Sequence, residues 1–228
     1  IATGLAPLGL KTRPKDLATQ QAAASVGQGL LIAKYNQNFA RHSIVSSQVL
    51  LTTEDVVRRS HYQNAQQTLF KLLSLGVVPI INENDSVGTQ EIRFGDNDRL
   101  AALVALLIGA DLLVLISDVD ALYDAPPSQP GAKAIHLVNA ISDIESVVLG
   151  GAGKAGVGSG GMVTKIEAAR ISTGAGISAL LTSLEKADQA LDGAEVGTLF
   201  AAHGVRSNSR LLWLAHASTP QGRLILDA

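Results

Sequence analysis

The run Leu112-Leu113-Val114-Leu115-Ile116 sets the tightest limit on what this chain can become. A strand with one wet face alternates apolar and polar residues. A run without alternation belongs to a strand covered on both faces, the habit of central strands in parallel sheets. Parallel neighbours need crossover connections, usually helices, and the flanking sequence supplies them. Leu100, Leu103, Leu106 and Leu107 recur at helical spacing before Gly109, with Asp96 or Asn97 where an N-cap belongs. The alternation continues elsewhere. Pro14 suits a first helical turn, and Leu17, Ala24, Leu31, Tyr35 and Phe39 mark one face of the long helix behind it. Residues 44–51 read as a buried strand. Ser60 to Leu75 reads as a helix with Leu69, Leu72 and Leu73 inward and Gly76 as its stop. Val77 to Ile81 is the next strand, where Pro79 points to a bulge or bend. Ser142 caps a short helix through Ile144, Val147 and Val148. Thr164 to Thr173 is helical, Ile177 to Leu181 a strand, and Glu185 to Leu191 a helix. Strands alternating with helices predict an α/β fold with a mainly parallel, doubly wound sheet.

Composition narrows the functions. At 46% hydrophobic and 4% aromatic, the 228 residues build one large or two small domains around an aliphatic core. The absence of cysteine excludes disulfides, thiolate nucleophiles and Cys–zinc sites, and suits a reducing compartment. A net charge of −2 leaves no basic footprint for nucleic acid or anionic lipid. The longest apolar run, Leu100 to Ala110, falls short of the about 18–20 residues that span a bilayer. No signal peptide is visible, so a soluble globular protein is expected. The opening at Ile1 and the strand-like close Gly222 to Asp227 read as a piece of a longer polypeptide.

Four constellations could carry chemistry. Asn82-Glu83-Asn84-Asp85 follows a strand, where open parallel sheets bind ligands, and its amides and carboxylates suit a small ligand bearing an amine and carboxylates. Alone, the tetrapeptide reads better as an ordinary polar turn with Asx hydrogen bonds. Phe94-Gly95-Asp96-Asn97-Asp98 opens a helix; capping accounts for one of its polar residues but not readily for all three. Ser117-Asp118 leaves the most apolar strand, as a nucleotide contact or as a simple turn. Last comes the glycine tract 150–161, continued by Met162-Val163-Thr164-Lys165. Glycines admit phosphate oxygens close to backbone N–H groups, and a lysine beyond them adds charge. The tract is no Walker A loop. It satisfies G-x-G-x-x-G twice, but the helical spacing before it weakens a dinucleotide reading. A linker is its plain alternative, and the helix that follows argues against one. His42, His61, His136, His203 and His216 form no metal-binding pattern. Lys154 reads as a solvated loop residue, and Phe200 and Trp213 as packing residues.

Taken in this order, these elements resemble the amino acid kinase family, and within it the members that phosphorylate the side-chain carboxylate of glutamate. The resemblance rests on Ile81 to Asp85, Phe94 to Asp98, Leu115 to Asp118 and Gly158 to Lys165, with weaker support from Ala24 to Gln28 and Val196 to Phe200. It spans almost the whole chain. It implies a three-layer αβα sandwich in residues 1–217, lacking the family's N-terminal strands with their Lys and Gly-rich turn. Residues 218–228 would be a linker and the start of a PUA-like domain. It implies ATP and Mg²⁺, first-step proline biosynthesis, a cytoplasmic homo-oligomer, proline as feedback inhibitor, and no membrane or RNA partner. Asp85 and Asn97 would hold the amino and α-carboxyl groups of glutamate, with Asn82 supporting their loop. Ser117 and Asp118 would border ATP, and Ser159, Gly160, Gly161, Met162, Val163, Thr164 and Lys165 would wrap its phosphates. Lys165 would neutralise the transferring phosphoryl group, and Asp98 would orient Lys165. Ser117 and Ser159 stand where the family often has Thr. A sibling kinase acting on N-acetylglutamate, aspartate or a nucleoside monophosphate is the alternative, then a non-catalytic binding remnant or a dinucleotide-dependent oxidoreductase.

Overall fold

The computed structural model describes residues 1–52, 55, 58–87, 97–144 and 160–203. The described chain forms two compact units, one running to Asn97 and the other starting at Asp98. The expectations for residues 94–96, for Val147 and Val148, for the glycine tract through Ser159, for Trp213 and His216, and for the 218–228 linker lie outside the described residues.

The first unit holds α1 (Ala2–Leu5), α2 (Leu17–Ala40), β1 (Ser46–Leu51), α3 (Arg59–Ser74) and β2 (Val78–Glu83). Asp16 caps α2 by accepting from the Thr19 N–H at 2.8 Å. Gln20, Ala23, Ala24 and Gly27 form the buried face of α2, and α1 lies hard against it. A Cβ on Gly4 would come within 1.9 Å of the Ala23 carbonyl oxygen, and one on Gly27 within 2.8 Å of the Gly4 nitrogen. Both glycines are therefore imposed by backbone contact. The expected inward stripe continues through Leu31 and Tyr35, but these are exposed, because the four-residue α1 reaches only the first half of α2. Tyr35 instead stacks on Phe39 at 6.2 Å. In α3, Leu69 is fully buried and Leu73 is exposed, against expectation. Strands β1 and β2 run parallel from Ser46↔Val78 to Leu51↔Glu83 without a bulge. Val78 N donates to Val45 O and Asn84 N to Leu51 O, so the even-numbered N–H groups of β2 face β1. The missing N–H of Pro79 falls on the other side, so the ladder runs on without the bulge expected there.

The second unit opens with α4 (Asn97–Ile108) and β3 (Leu112–Ser117), followed by a hairpin of β4 (Leu122–Tyr123) and β5 (Ala134–Ile135). Then come β6 (Leu137–Val138), a 3₁₀ turn (Ile141–Ile144), α5 (Gly160–Gly174), β7 (Ser178–Ser183), a second 3₁₀ turn (Leu184–Lys186), α6 (Ala187–Leu191) and β8 (Thr198–Phe200). The sheet order is β3-β7-β8-β6. β3 and β7 run parallel from Leu112↔Ser178 to Ser117↔Ser183, β6 and β8 are parallel, and β7 and β8 are antiparallel. The described sheets are thus mixed and mostly parallel. Among the described residues, the run that promised a central strand stands at the end of this sheet: Leu113 and Leu115 are buried, whereas Leu112 and Ile116 are exposed. The aliphatic core is as expected, with Leu103, Leu106, Leu107, Ile171 and Leu181 fully buried beside Phe200. Gly76 and Gly109 both take positive φ as their helices end. Thr198 ties β8 to the hairpin: its hydroxyl donates to Ile135 O at 2.6 Å and accepts from Leu122 N at 2.7 Å. Among the described residues no helix is long and apolar enough to cross a membrane.

Candidate active site

Three local structures converge in the second unit. Helix α4 carries Asp98 in its first turn. Strand β3 delivers Ser117 and then Asp118 at its carboxyl end. Helix α5 starts at Gly160 and Gly161 and carries Thr164 and Lys165 just beyond its first turn. The leading N–H groups of a helix have no intrahelical partner, and its dipole makes that end attractive to anions. Among the described residues, nothing lies within 4 Å of where a Cβ on Gly161 would sit.

Asp98 and Lys165, separated by 67 positions in sequence, form a 2.9 Å ion pair, with side chains only 19% and 16% exposed. Thr164 donates to the same Asp98 oxygen, Oδ2, at 2.9 Å and lies 3.0 Å from the Gly161 carbonyl oxygen. One carboxylate oxygen thereby aims an ammonium and locks the first turn of α5. An ammonium carries three donors, so an orienting carboxylate does not exhaust it. Lys165, Gly161 and Met162 line a cavity of about 430 Å³ together with Ser117, Asp118, Val119, residues 121–123 and residues 125–128. The Ser117 hydroxyl donates to Asp118 Oδ1 at 3.1 Å. Of the residues named from sequence, the fold therefore joins Asp98, Ser117, Asp118, Gly161, Met162, Thr164 and Lys165. Gly160 begins α5, Val163 is exposed, and Asn97 is the exposed first residue of α4.

In the first unit, Asn82 sits in β2 and donates through Nδ2 to Gln28 Oε1 at 2.8 Å, tying the strand end to α2. Asp85 lies in the turn that follows. Thr52 donates to Asp55 Oδ2 through its N–H (2.8 Å) and its hydroxyl (2.7 Å), while His61 Nδ1 lies 3.0 Å from Oδ1.

Sequence reasoning missed Asp120, Tyr123 and Lys186, of which Tyr123 lines the cavity. Lys186 donates to Asp120 Oδ2 at 2.6 Å, and the Tyr123 hydroxyl donates to Oδ1 at 2.9 Å. The Lys186 bond, with help from Tyr123, holds the Asp120 carboxyl below its ordinary value. The same carboxylate pushes the Lys186 ammonium and the Tyr123 phenol up. A usable signal existed: Lys186 closely follows Ser183, the register partner of Ser117, so both lie at carboxyl ends of paired strands.

The amino acid kinase family model matches residues 1–183. Glutamate 5-kinase of Salinispora arenicola (strain CNS-205) is 63% identical over all of this chain and 62% of its own length. That of Streptomyces coelicolor is 62% identical over 61% of its length, and that of Bifidobacterium longum (strain NCC 2705) 53% over 60%. The chain thus spans about three-fifths of the length of these curated relatives. Among solved structures, Giardia carbamate kinase superposes with a TM-score of 0.59 at 16% identity, over 89% of this chain and 79% of that one. UMP kinase of Ureaplasma parvum gives 0.52 at 12% identity, over 86% and 74%. An aspartate-held lysine at the glycine start of a helix, on a mostly parallel sheet shared with these kinases, agrees with the sequence match, and the chain belongs to the amino acid kinase family.

Proposed function

We propose that residues 1–217 are the kinase part of a glutamate 5-kinase, transferring the γ-phosphoryl group of ATP to the γ-carboxylate of L-glutamate in the first step of proline biosynthesis. The observation that carries this reading is the Asp98–Lys165 pair at the start of α5, with Lys165 and Gly161 lining a cavity of about 430 Å³. Identity of 53–63% with proteins named glutamate 5-kinase favours glutamate over the other acceptors.

The γ-carboxylate attacks phosphorus in line and ADP leaves, giving an acyl phosphate, so the protein need supply no nucleophile. Lys165 places positive charge where the equatorial phosphoryl oxygens gain negative charge, and Asp98 and Thr164 hold it there in advance. The N–H groups opening α5 receive phosphate oxygens. Ser117 and Asp118 border the nucleotide. Asp85 and Asn97 take the amino and α-carboxyl groups of glutamate, and Asn82 supports that loop. Mg²⁺ would be carried on the nucleotide, and the Asp118 carboxylate, which lines the cavity, could contact it there. When bound, the ion neutralises phosphate charge. A cytoplasmic homo-oligomer subject to feedback by proline accompanies this reading.

Hydroxylamine traps an acyl phosphate as its hydroxamate. The purified protein is expected to form hydroxamate only with ATP and glutamate together, and not with N-acetylglutamate, aspartate or UMP. Preference for one of those acceptors, or binding of both ligands without hydroxamate, overturns the assignment.

A further inference from the structure

Within 117–123 every residue lines the cavity except Asp120. Its carboxylate is turned away and occupied at both oxygens, by Lys186 on one and the Tyr123 hydroxyl on the other. Lys186 closes the 3₁₀ turn after β7, and β7 pairs with β3 as far as Ser117↔Ser183. The contact therefore runs from the carboxyl end of one parallel strand to the loop leaving its neighbour. That loop enters β4, only two residues long, so little backbone pairing holds it in shape. The Tyr123 hydroxyl is anchored to the same carboxylate while its residue lines the cavity. An exposed ion pair contributes little to global stability. Here Lys186 and Asp120 side chains are 42% and 33% exposed, so any use of the pair lies in local shape.

We propose that Lys186 is a positioning residue for the nucleotide: through Asp120 it staples the 117–123 wall and Tyr123 into the form that receives the nucleoside part of ATP. The inference rests on the kinase reading above and adds to it a residue outside the cavity lining. The lowered Asp120 carboxyl and the raised Lys186 ammonium agree with a pair charged throughout the working pH range.

Lys186→Met should raise KM for ATP about fivefold to tenfold, the loss expected of roughly one well-made contact. KM for glutamate, kcat at saturating ATP and the melting temperature should stay within twofold or a degree or two of the parent. Lys186→Arg should recover most of the ATP affinity. Tyr123→Phe, which keeps the ring and removes only the anchoring hydroxyl, should shift KM the same way by a smaller factor. Inorganic tripolyphosphate, which lacks the nucleoside, should compete with ATP equally well in parent and Lys186→Met. An unchanged KM for ATP overturns the proposal, and so does equal weakening of tripolyphosphate, which would make the effect one of charge alone. Calorimetric Kd for ATP reads the same ratio without turnover, so absence of glutamate phosphorylation in the parent would sink the kinase reading separately.

Discussion

At Asp98 a single oxygen receives both an ammonium and a hydroxyl, and the consequences of removing each donor differ. Lys165→Ala deletes charge that matters most when phosphoryl oxygens are most negative, so kcat should fall by about 10²- to 10³-fold with KM for glutamate little changed. A raised KM at unchanged kcat would refute that role. Thr164→Val leaves the ion pair and loses one hydrogen bond, so a fall in kcat of roughly tenfold or less is expected. Asp85→Ala should instead raise KM for glutamate, and an unaltered saturation curve would reject its assignment. These residues were legible in the sequence because each sits at a helix start or strand exit, where orphaned backbone groups gather. Their pairing was inferred from resemblance, since Asp98 and Lys165 are 67 positions apart and no local rule links them. Asp120 and Lys186 escaped notice for the complementary reason: a lone acid and a lone lysine in two turns carry no local pattern.

At the scale of elements, glycine placement divides into positions forced by contact and positions left free. Gly197 has φ +81°, and a Cβ there would lie 2.2 Å from the Leu181 carbonyl oxygen. Gly197→Ala should therefore destabilise by about 2–4 kcal/mol, read as a lower urea midpoint. Gly4→Ala should destabilise by about 1–3 kcal/mol, because the backbone of α2 must retreat. Gly29, inside α2 with open space around it, is the control, and Gly29→Ala should stabilise by up to about 1 kcal/mol. Equal destabilisation at Gly29 and Gly4 would show that the α1–α2 contact is not what requires glycine. Periodicity located nearly every helix and long strand. It could not see the two-residue strands or β8, since such segments are too short to show a period and exist only through pairing. Nor could it know that α1 covers only half of α2, which depends on where the chain doubles back.

Across the whole molecule, acidic groups set the pH response. Burial would raise Asp55, but the Thr52 hydrogen bonds and His61 outweigh it and hold the carboxyl below its ordinary value. Asp16, bonded by Thr19, and Asp120, bonded by Lys186, are lowered as well. A carboxyl whose folded pKa is depressed contributes its full stability above the unfolded value and loses it as pH falls through the folded one. Urea midpoints should accordingly hold between about pH 5 and 7 with respect to these groups and decline below about pH 4. Asp55→Asn should flatten that decline, and an unchanged slope would remove Asp55 from the account. From sequence alone followed an aliphatic α/β chain of this family, with glycines, amides and acids at strand and helix ends, because hydrophobic period and backbone capping act over a few residues. Which acid meets which lysine, which face of the apolar strand is covered and where glycine is compulsory were settled by tertiary structure, because those depend on backbone segments brought together across scores of residues.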